Sequence, residues 1–349
     1  MKSRIIRLGF EALYYSGAHL LLRPLTGGVG AILMLHHVRP PRDEAFQPNK
    51  LLEVSPEFLD ATVCWMRASG LDIVSLDEMH RRLTERDFSR RFVCITFDDG
   101  YRNNKEWAYP VLKRHGTPFA IYIPTSFPEC AGKLWWLALE MMIARNAAVT
   151  MTLDGVEQTF ACATNAAKRA LYARLYWRLR QYPNEADIHA IVDASAARSG
   201  IDMAPVVESL CMRWDEIRAL AEDPLVTIGA HTVNHVMLAK AGDDVVRREL
   251  EQSRSIIADL LGRPVEHFAY PYGGRDLARP REFEIARSLG YKTAVTTRPG
   301  VLFPEHAAHL TALPRLSLNG EYQRARFVKV LMSGAATGMF NGFRHVDAA

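Results

Sequence analysis

The chain has 349 residues, 48% of them apolar and 23% charged, which excludes a disordered or fibrous protein. Its net charge of +4 gives no indication of nucleic acid as a partner. The five cysteines are odd in number and lack CxxC spacing, so we expect reduced thiols rather than a disulfide framework.

The first 29 residues predict an amphipathic helix that packs on the main domain. The segment starts with basic residues, but polar side chains interrupt its apolar part and no small-residue cleavage site follows, so an export signal is not favoured. It is also too short and too polar to span a bilayer. A peripheral membrane contact through residues 1–23 is the alternative, because Arg4, Arg7 and Arg23 could face anionic lipid. We expect a cytoplasmic location, with association at a membrane surface as the alternative.

From residue 30 to residue 320, short apolar runs alternate with helical patterns. The predicted strands are 31–36, 71–76, 91–97, 118–124, 225–230, 267–271, 292–297 and 313–318. Helical patterns lie between them, for example at 55–70, 243–262 and 280–290. This alternation predicts βαβ units and a parallel sheet, so the fold class is α/β. Seven or eight such units favour a closed (β/α) barrel over an open sheet.

Residues 127–215 interrupt this rhythm, because they separate the fourth and fifth strands by far more than an ordinary connection. We predict a mostly helical insertion with a short hairpin at 151–160, around Asp154 and Gly155. Its aromatic residues are expected to form its own core rather than a platform for sugar rings; they are Trp135, Trp136, Tyr172, Tyr176 and Trp177. Residues 321–349 are predicted to form a C-terminal helix or tail.

Unusual polar residues follow the ends of four predicted strands. His36 follows the first strand, Asp98 and Asp99 follow the third, His231 follows the fifth and Tyr272 follows the sixth. In a parallel barrel these strand ends open onto one rim, where active sites form. We therefore expect these residues to converge although the sequence separates them widely.

The segment TFDDG (96–100) places two carboxylates side by side at a strand end. Adjacent anions repel, and one becomes neutral unless a cation lies nearby. A divalent metal resolves this conflict if one aspartate binds it and the other stays free as a base. The alternative is a solvated loop in which Asp99 and Gly100 simply make a turn.

The segment HTVNH (231–235) supplies two imidazoles four residues apart. On a helical turn both rings face the same way, so both can reach one ion. Two histidines and one carboxylate form the open triad of hydrolytic or redox metal sites. The alternative is one core histidine and one surface histidine. The loop AYPYGG (269–274) can aim a backbone N–H at a developing oxyanion, or it can be a plain turn.

The order TFDDG, HTVNH and YPYGG on a βα-rich chain resembles the polysaccharide deacetylase family (the NodB-homology domain, carbohydrate esterase family 4), over roughly residues 30–320. The resemblance implies a distorted (β/α) barrel and Asp98 as the general base. It also implies a metal, usually zinc, held by Asp99, His231 and His235. The turn at Tyr272 and Gly273 would supply the oxyanion or substrate contact.

Two departures from the family pattern concern the base and the acid. Ala269 stands where the family commonly has the arginine that tethers the base, so Arg315 or Arg275 is predicted to replace it. The late Leu-x-x-His element that carries the family's acid has no clean match near His306 and His309. The start ILMLHHV resembles members whose acid is an early histidine, which predicts His36 as the acid, with His37 as the alternative.

The resemblance, together with these residues, implies a metal-dependent hydrolase that removes acetyl groups from a carbohydrate. An N-linked acetyl group, and thus a linear amide C–N bond, is the expected target, and O-deacetylation stays open. A binding protein that has lost catalysis is the main alternative, because of the missing arginine and the unclear acid. A glycosyl transferase with a metal–nucleotide site is less favoured, because it leaves HTVNH unexplained and no Gly-rich phosphate loop is present.

Overall fold

The computed structural model describes residues 2–348 of the chain; Met1 and Ala349, the outermost residues of the predicted terminal segments, lie outside this range. The strands of the described residues are β1 (Gly30–Leu35), β2 (His37–Val38), β3 (Glu53–Val54), β4 (Asp72–Ile73), β5 (Phe92–Phe97), β6 (Phe119–Ile123), β7 (Ala148–Leu153), β8 (Val156–Ala161), β9 (Val226–Ala230), β10 (His267–Ala269), β11 (Thr293–Pro299) and β12 (Leu313–Ser317). The α-helices are α1 (Lys2–Tyr15), α2 (Ala18–Thr26), α3 (Pro56–Ala68), α4 (Leu76–Glu85), α5 (Tyr109–Arg114), α6 (Trp135–Arg145), α7 (Asn165–Leu179), α8 (Glu185–Arg198), α9 (Ala204–Leu210), α10 (Trp214–Ala221), α11 (Asp243–Leu261), α12 (Pro280–Ser288), α13 (Ala325–Met332) and α14 (Ala335–Phe340).

Seven parallel strands close into a barrel, which confirms the predicted fold. Their order around the ring is β1, β12, β11, β10, β9, β6 and β5, and β1 pairs with β5 over six consecutive positions. The predicted strand 71–76 forms only the two-residue β4, which pairs with the start of β5 outside the ring. The ring is distorted because β10 has three residues and meets β9 at a single pair, Phe268 with Ala230.

The strands are buried on both faces, as a barrel with an outer layer of helices requires. Along β1 and β5 the side chains alternate between two clusters. Ile32, Phe92 and Cys94 belong to the cluster inside the barrel, whereas Leu33 and Ile95 pack with the surrounding helices. The apolar runs of the sequence therefore fold as barrel strands because each of their faces has an apolar partner.

Residues 127–215 form α6 to α9 and the hairpin of β7 and β8 around a separate apolar core. The hairpin turns at Asp154 and Gly155, whose φ angles of 53° and 77° are those of a type I′ turn. The same core includes Tyr101 and Met237, which follow β5 and β9. The insertion therefore lies over the carboxyl ends of these strands.

The prediction that all the aromatic residues of the insertion form its core is wrong for one of them. Trp135, Trp136 and Tyr172 are buried and Tyr176 packs partly against them, but the side chain of Trp177 is 57% exposed. Trp177 lies on the outer side of α7, where its ring meets Tyr176 edge to face and the guanidinium of Arg180.

The terminal segments pack on each other beside the barrel. The single helix predicted for residues 1–29 is two helices, α1 and α2, because Gly17 takes a left-handed φ of 73° between them. Phe10 of α1 packs against Tyr322 and Phe327, and Thr26 of α2 donates a hydrogen bond to the carbonyl of Ser333. Among the described residues we find no helix of the length and apolarity that a bilayer crossing needs.

Candidate active site

The polar residues predicted to converge do so at the carboxyl ends of the barrel strands. His36, Asp98, Asp99, His231 and Tyr272 line one cavity of about 220 Å³. The remaining lining residues come from the strand ends, the loop before β3 and the insertion: Met34, Asn49, Leu52, Trp136, Tyr176, Arg180, His235 and Thr297. The cavity thus combines barrel residues with residues of the insertion.

Asp99, His231 and His235 bring three ligand atoms together in the buried part of this cavity. The Oδ1 atom of Asp99 lies 3.5 Å from Nε2 of His231 and 3.2 Å from Nε2 of His235. This Oδ1 atom is buried and has no well-formed hydrogen bond within residues 2–348. One carboxylate and two imidazoles that meet at such an atom fit a divalent metal ion.

The orientation of His231 also suits a metal ligand. Its Nδ1 lies 2.6 Å from the carbonyl oxygen of Ala269, so this nitrogen carries the proton and donates it. In the neutral ring, Nε2 is then the nitrogen with the lone pair, and it lies 3.5 Å from Oδ1 of Asp99. A hydrogen bond donated by the ring nitrogen that does not bind the metal holds metal-binding histidines in one tautomer.

The interpretation of HTVNH as a helical turn is wrong, because residues 231–235 form a bent loop. Thr232 and His235 have positive φ angles of 66° and 55°. The carboxylate of Glu249, on α11, accepts the backbone N–H groups of Val233 and Asn234, and the hydroxyl of Thr232 accepts that of His235. These bonds fold the loop so that both rings converge, with centroids 5.0 Å apart.

Asp98 is held by Arg315, one of the two arginines predicted to tether it. The guanidinium donates to both carboxylate oxygens at 2.7 Å, and further bonds to the hydroxyl of Thr96 and the carbonyl of Thr296 fix it in the barrel interior. Arg275, the other candidate, is not the tether. Its exposed side chain lies on the loop after β10 and binds Asp347.

The two aspartates differ in what surrounds their carboxylates. Burial raises the pKa of Asp98, but the nearby charge of Arg315 outweighs this effect and the pKa lies below the usual range. Burial likewise opposes ionisation of Asp99, but His235 and His231 hold its pKa well below the usual range. Both groups are therefore carboxylates at neutral pH, and Asp98 is free to accept a proton.

His36 and His37 occupy different environments. His36 lines the cavity, and its Nε2 lies 3.8 Å from Oδ2 of Asp98. Burial lowers the pKa of His36, whereas Asp98 and Asp99 act in the opposite direction. His37 is buried outside this cavity, stacked on Tyr101 at 3.8 Å and paired with Asn103 at 2.9 Å. Of the two candidate acids, His36 is thus the one at the site.

The backbone N–H groups of Tyr272 and Gly273, in the turn after β10, differ in their hydrogen bonds. The N–H of Gly273 donates to the carbonyl of Pro271 at 2.6 Å, so this amide already has a partner within the turn. The amide of Tyr272 donates no hydrogen bond to any residue of the described range and so stays available. At Gly273, where φ is 52°, a Cβ would lie 2.7 Å from the backbone nitrogen of Thr297, so only glycine fits.

Three residues of the insertion were missed by the sequence analysis as members of the site. Trp136 packs against His235 with ring centroids 5.2 Å apart, and Tyr176 and Arg180 complete the wall of the cavity. Arg180 lies over the ring of Tyr272 at 5.4 Å. No motif marks these residues, because the fold of the insertion alone brings them to the barrel mouth.

A second cavity of about 570 Å³ adjoins the first. Asn49, Leu52 and Trp136 line both cavities. The second one also contains a cluster of charges in which Arg39 and Arg42 each bind Glu53, with Arg42 3.6 Å from Glu140. The site is therefore one part of a longer groove between the barrel and the insertion.

Comparisons with known proteins agree with this fold. The model of the polysaccharide deacetylase family matches residues 85–294. The protein YxkH of Bacillus subtilis (strain 168) is 36% identical over 93 residues, which are 26% of this chain and 30% of that protein, so the match spans less than a third of this relative. The deacetylase PplD of Streptococcus pyogenes superposes with a TM-score of 0.56 at 20% identity, over 83% of this chain and 92% of that one. A de-N-acetylase of Aggregatibacter actinomycetemcomitans gives 0.54 at 14% identity, over 86% and 99%.

Proposed function

The chain belongs to the polysaccharide deacetylase family, and on this premise we propose that it is a metal-dependent hydrolase that removes acetyl groups from a poly- or oligosaccharide. One observation carries the proposal: the triad of Asp99, His231 and His235 shares a cavity with an Asp98 carboxylate that Arg315 holds in place. A metal-binding triad beside an ionised carboxylate is what metal-assisted hydrolysis of an acyl group needs.

A divalent ion, for which we propose zinc, would be held by Asp99, His231 and His235, and when bound it supplies the activation of water at neutral pH. Asp98 accepts the proton of the attacking water, since it is ionised and each of its oxygens is fixed by Arg315. The free amide of Tyr272 donates to the oxygen that becomes negative on the acetyl carbonyl.

His36 donates a proton to the leaving group in this proposal. Its Nε2 lies 3.8 Å from Asp98, so one bound acetyl group can lie near both residues. An amine leaving group is expelled poorly without a proton, so an acid at this place suits an N-linked acetyl group. The similar fold of a de-N-acetylase is in line with this choice. O-deacetylation would use the same residues.

The groove supports a substrate longer than one sugar. The cavity at the triad is about 220 Å³ and continues past Trp136 into the 570 Å³ cavity lined by Arg39, Arg42 and Glu140. Aromatic rings and paired charges of this kind bind the faces and hydroxyl groups of sugar rings. We propose that the acetylated unit binds at the triad and that neighbouring units of the glycan occupy the second cavity.

The alternative of a binding protein without catalysis was based on the missing arginine at Ala269 and on the unclear acid. Arg315 makes the contact with Asp98 that the alanine cannot make. His36 stands at the site where an acid is required. Both observations favour an enzyme.

An acetate-release assay tests the proposed function. The purified chain is stripped with a chelator, reloaded with one divalent metal at a time, and incubated with N-acetylated and O-acetylated oligosaccharides of increasing length. We expect acetate release only after metal reloading, and faster release from N-acetylated chains of several units. Binding of these glycans with no acetate at any metal loading would favour the binding protein.

A further inference from the structure

We propose that the outer faces of α1, α2 and α14 form a membrane-docking surface that binds a bilayer containing anionic phospholipid. This inference is independent of the proposed activity, because none of its residues lines the catalytic cavity.

Helix α1 presents an apolar face to solvent. Ile5, Leu8, Ala12 and Tyr15 recur at intervals of three and four residues, which places them on one side of the helix. All four are exposed, and the side chain of Leu8 is 69% exposed. Phe10, on the opposite side of α1, is buried against the protein. A helix that covers a soluble domain normally has polar residues outside, so this pattern is inverted.

Helix α2 continues the apolar surface. His19 and Thr26 are buried, whereas Leu20, Leu21 and Leu25 are 60%, 80% and 71% exposed. The C-terminal segment adds Met339, Phe340 and Phe343, which are also largely exposed. Leu25 and Phe343 line one cavity of about 450 Å³, so the apolar surfaces of α2 and of this segment are continuous.

Positive charge accompanies these apolar side chains. Arg4, Arg7 and Arg23 are exposed and form no ion pair or side-chain hydrogen bond with other residues of the described range. The one acidic residue of α1, Glu11, is neutralised by Arg326 at 2.6 Å. Unpaired arginines beside exposed leucines suit an anionic bilayer, into which the leucines insert while the arginines meet the phosphates.

The two helices are fixed to the domain, so their outer face is a built surface. The hydroxyl of Thr26 donates to the carbonyl of Ser333, and Phe10 packs against Tyr322 and Phe327. At Gly334, a Cβ would lie 1.8 Å from the carbonyl oxygen of Thr26, so the chain approaches α2 as closely as backbone can. The anchored inner faces leave the outer faces for a partner.

The docking surface runs along one side of the barrel. Helix α2 ends at Thr26 and β1 begins at Gly30, so α2 lies near the end of the barrel where the strands begin. Phe10 of α1 packs against Tyr322, which follows β12, so α1 reaches toward the carboxyl ends of the strands. The surface therefore extends along the barrel rather than covering one end of it.

Vesicle sedimentation with the full chain tests this proposal. The vesicles consist of phosphatidylcholine alone or with one third phosphatidylglycerol. We expect binding to the anionic vesicles at low salt, with Leu8→Glu and Leu21→Glu each lowering the affinity about tenfold or more. Replacement of Arg4, Arg7 and Arg23 by glutamine should remove the preference for anionic lipid.

Val156→Glu is the matched control, because Val156 is 60% exposed on the hairpin of the insertion. This variant should bind vesicles like the unaltered protein, and all variants should unfold at the same temperature. Absence of vesicle binding by the unaltered protein, or equal loss in Val156→Glu and Leu21→Glu, overturns the proposal. Sedimentation velocity adds a further outcome: a dimer that Leu21→Glu dissociates, without vesicle binding, would assign the surface to a second copy of the chain and overturn it as well.

Discussion

The guanidinium of Arg315 binds both carboxylate oxygens of Asp98 at 2.7 Å, although 217 positions separate the two residues. Arg315 lies on β12 and Asp98 follows β5, and β1 is the single strand between them in the ring. The closure of the barrel therefore creates the contact. It fixes the plane of the Asp98 carboxylate and keeps the group ionised in a buried place.

Replacement of Arg315 by lysine should lower kcat about 100-fold and leave KM nearly unchanged. A lysine keeps the charge, but its ammonium cannot make two parallel bonds, so the carboxylate loses its fixed orientation. Steady-state kinetics on an N-acetylated oligosaccharide measure kcat and KM separately. Arg275→Lys is the matched control and should retain full activity, since Arg275 binds Asp347 instead. Equal kinetics of the two variants would remove Arg315 from the role of positioning residue.

Asp98→Asn and Asp99→Asn should separate catalysis from metal binding. Asp98→Asn is expected to retain one metal per chain while acetate release falls by about 10³-fold or more, because the proton acceptor is lost. Asp99→Asn should lose the metal and the activity together, because it removes a ligand of the triad. Elemental analysis of the dialysed variants measures their metal content, and circular dichroism checks that both are folded. Acetate release by Asp98→Asn within a few fold of the unaltered protein would reject Asp98 as the base.

Chelation should lower the stability of the protein as well as its activity. The buried Oδ1 atom of Asp99 lacks a well-formed hydrogen bond within the described chain, so a bound ion stabilises the folded state. With free metal at a thousand times its Kd, the gain is about 4 kcal/mol. Thermal unfolding with and without zinc measures it, and His235→Ala should make the two curves coincide. An identical metal-dependent shift in this variant would place the ion elsewhere.

Arg180→Met should raise KM about tenfold and change kcat little. Arg180 lies in the wall of the cavity, and its guanidinium lies over the ring of Tyr272, whereas the group of Tyr272 assigned to the chemistry is the backbone amide. Its loss would weaken substrate binding in the ground state and in the transition state alike. Arg178→Met is the control, because Arg178 is exposed and pairs with Asp154 away from the cavity. A fall in kcat with unchanged KM would contradict the binding role.

The convergence of the site residues could be predicted from the sequence because it follows from the geometry of a parallel barrel. Parallel barrel strands open onto a single rim, so the residues after β1, β5, β9 and β10 had to meet. The choice between Arg315 and Arg275 could not be made from the sequence alone. Leu313 and Arg315 share a strand face by the period of two, but only the strand order shows that this face meets Asp98.

Two features of the site lay beyond any local pattern. The loop at 231–235 depends on Glu249, a residue of α11. The positive φ angle of Thr232 could not be predicted either, because β-branched residues rarely adopt one. Trp136 reaches His235 because the insertion folds over the barrel mouth. Contacts between the insertion and the barrel cannot be predicted from the hydrophobic periodicity of either segment.

His306 should make the protein lose stability as the pH falls from about 6.5 to 4. This residue, near the position of the family's late acid, lies outside the catalytic cavity. It is 1% exposed, and its Nδ1 accepts the backbone N–H of Phe303 at 2.9 Å. Burial lowers its pKa to about 4. Below pH 6.5 the unfolded chain binds a proton that the folded protein excludes, so stability is present above this pH and is lost toward pH 4.

The loss attributable to His306 should reach roughly 3 kcal/mol, since each pKa unit is worth about 1.4 kcal/mol. Other groups also titrate in this range, so the measured quantity is the difference in free energy of unfolding between the unaltered protein and His306→Gln. This difference should shrink as the pH falls from 7 to 4.5, because glutamine has no proton to exclude. A parallel curve for His306→Gln would mean that His306 is protonated as readily in the folded protein as in the unfolded chain.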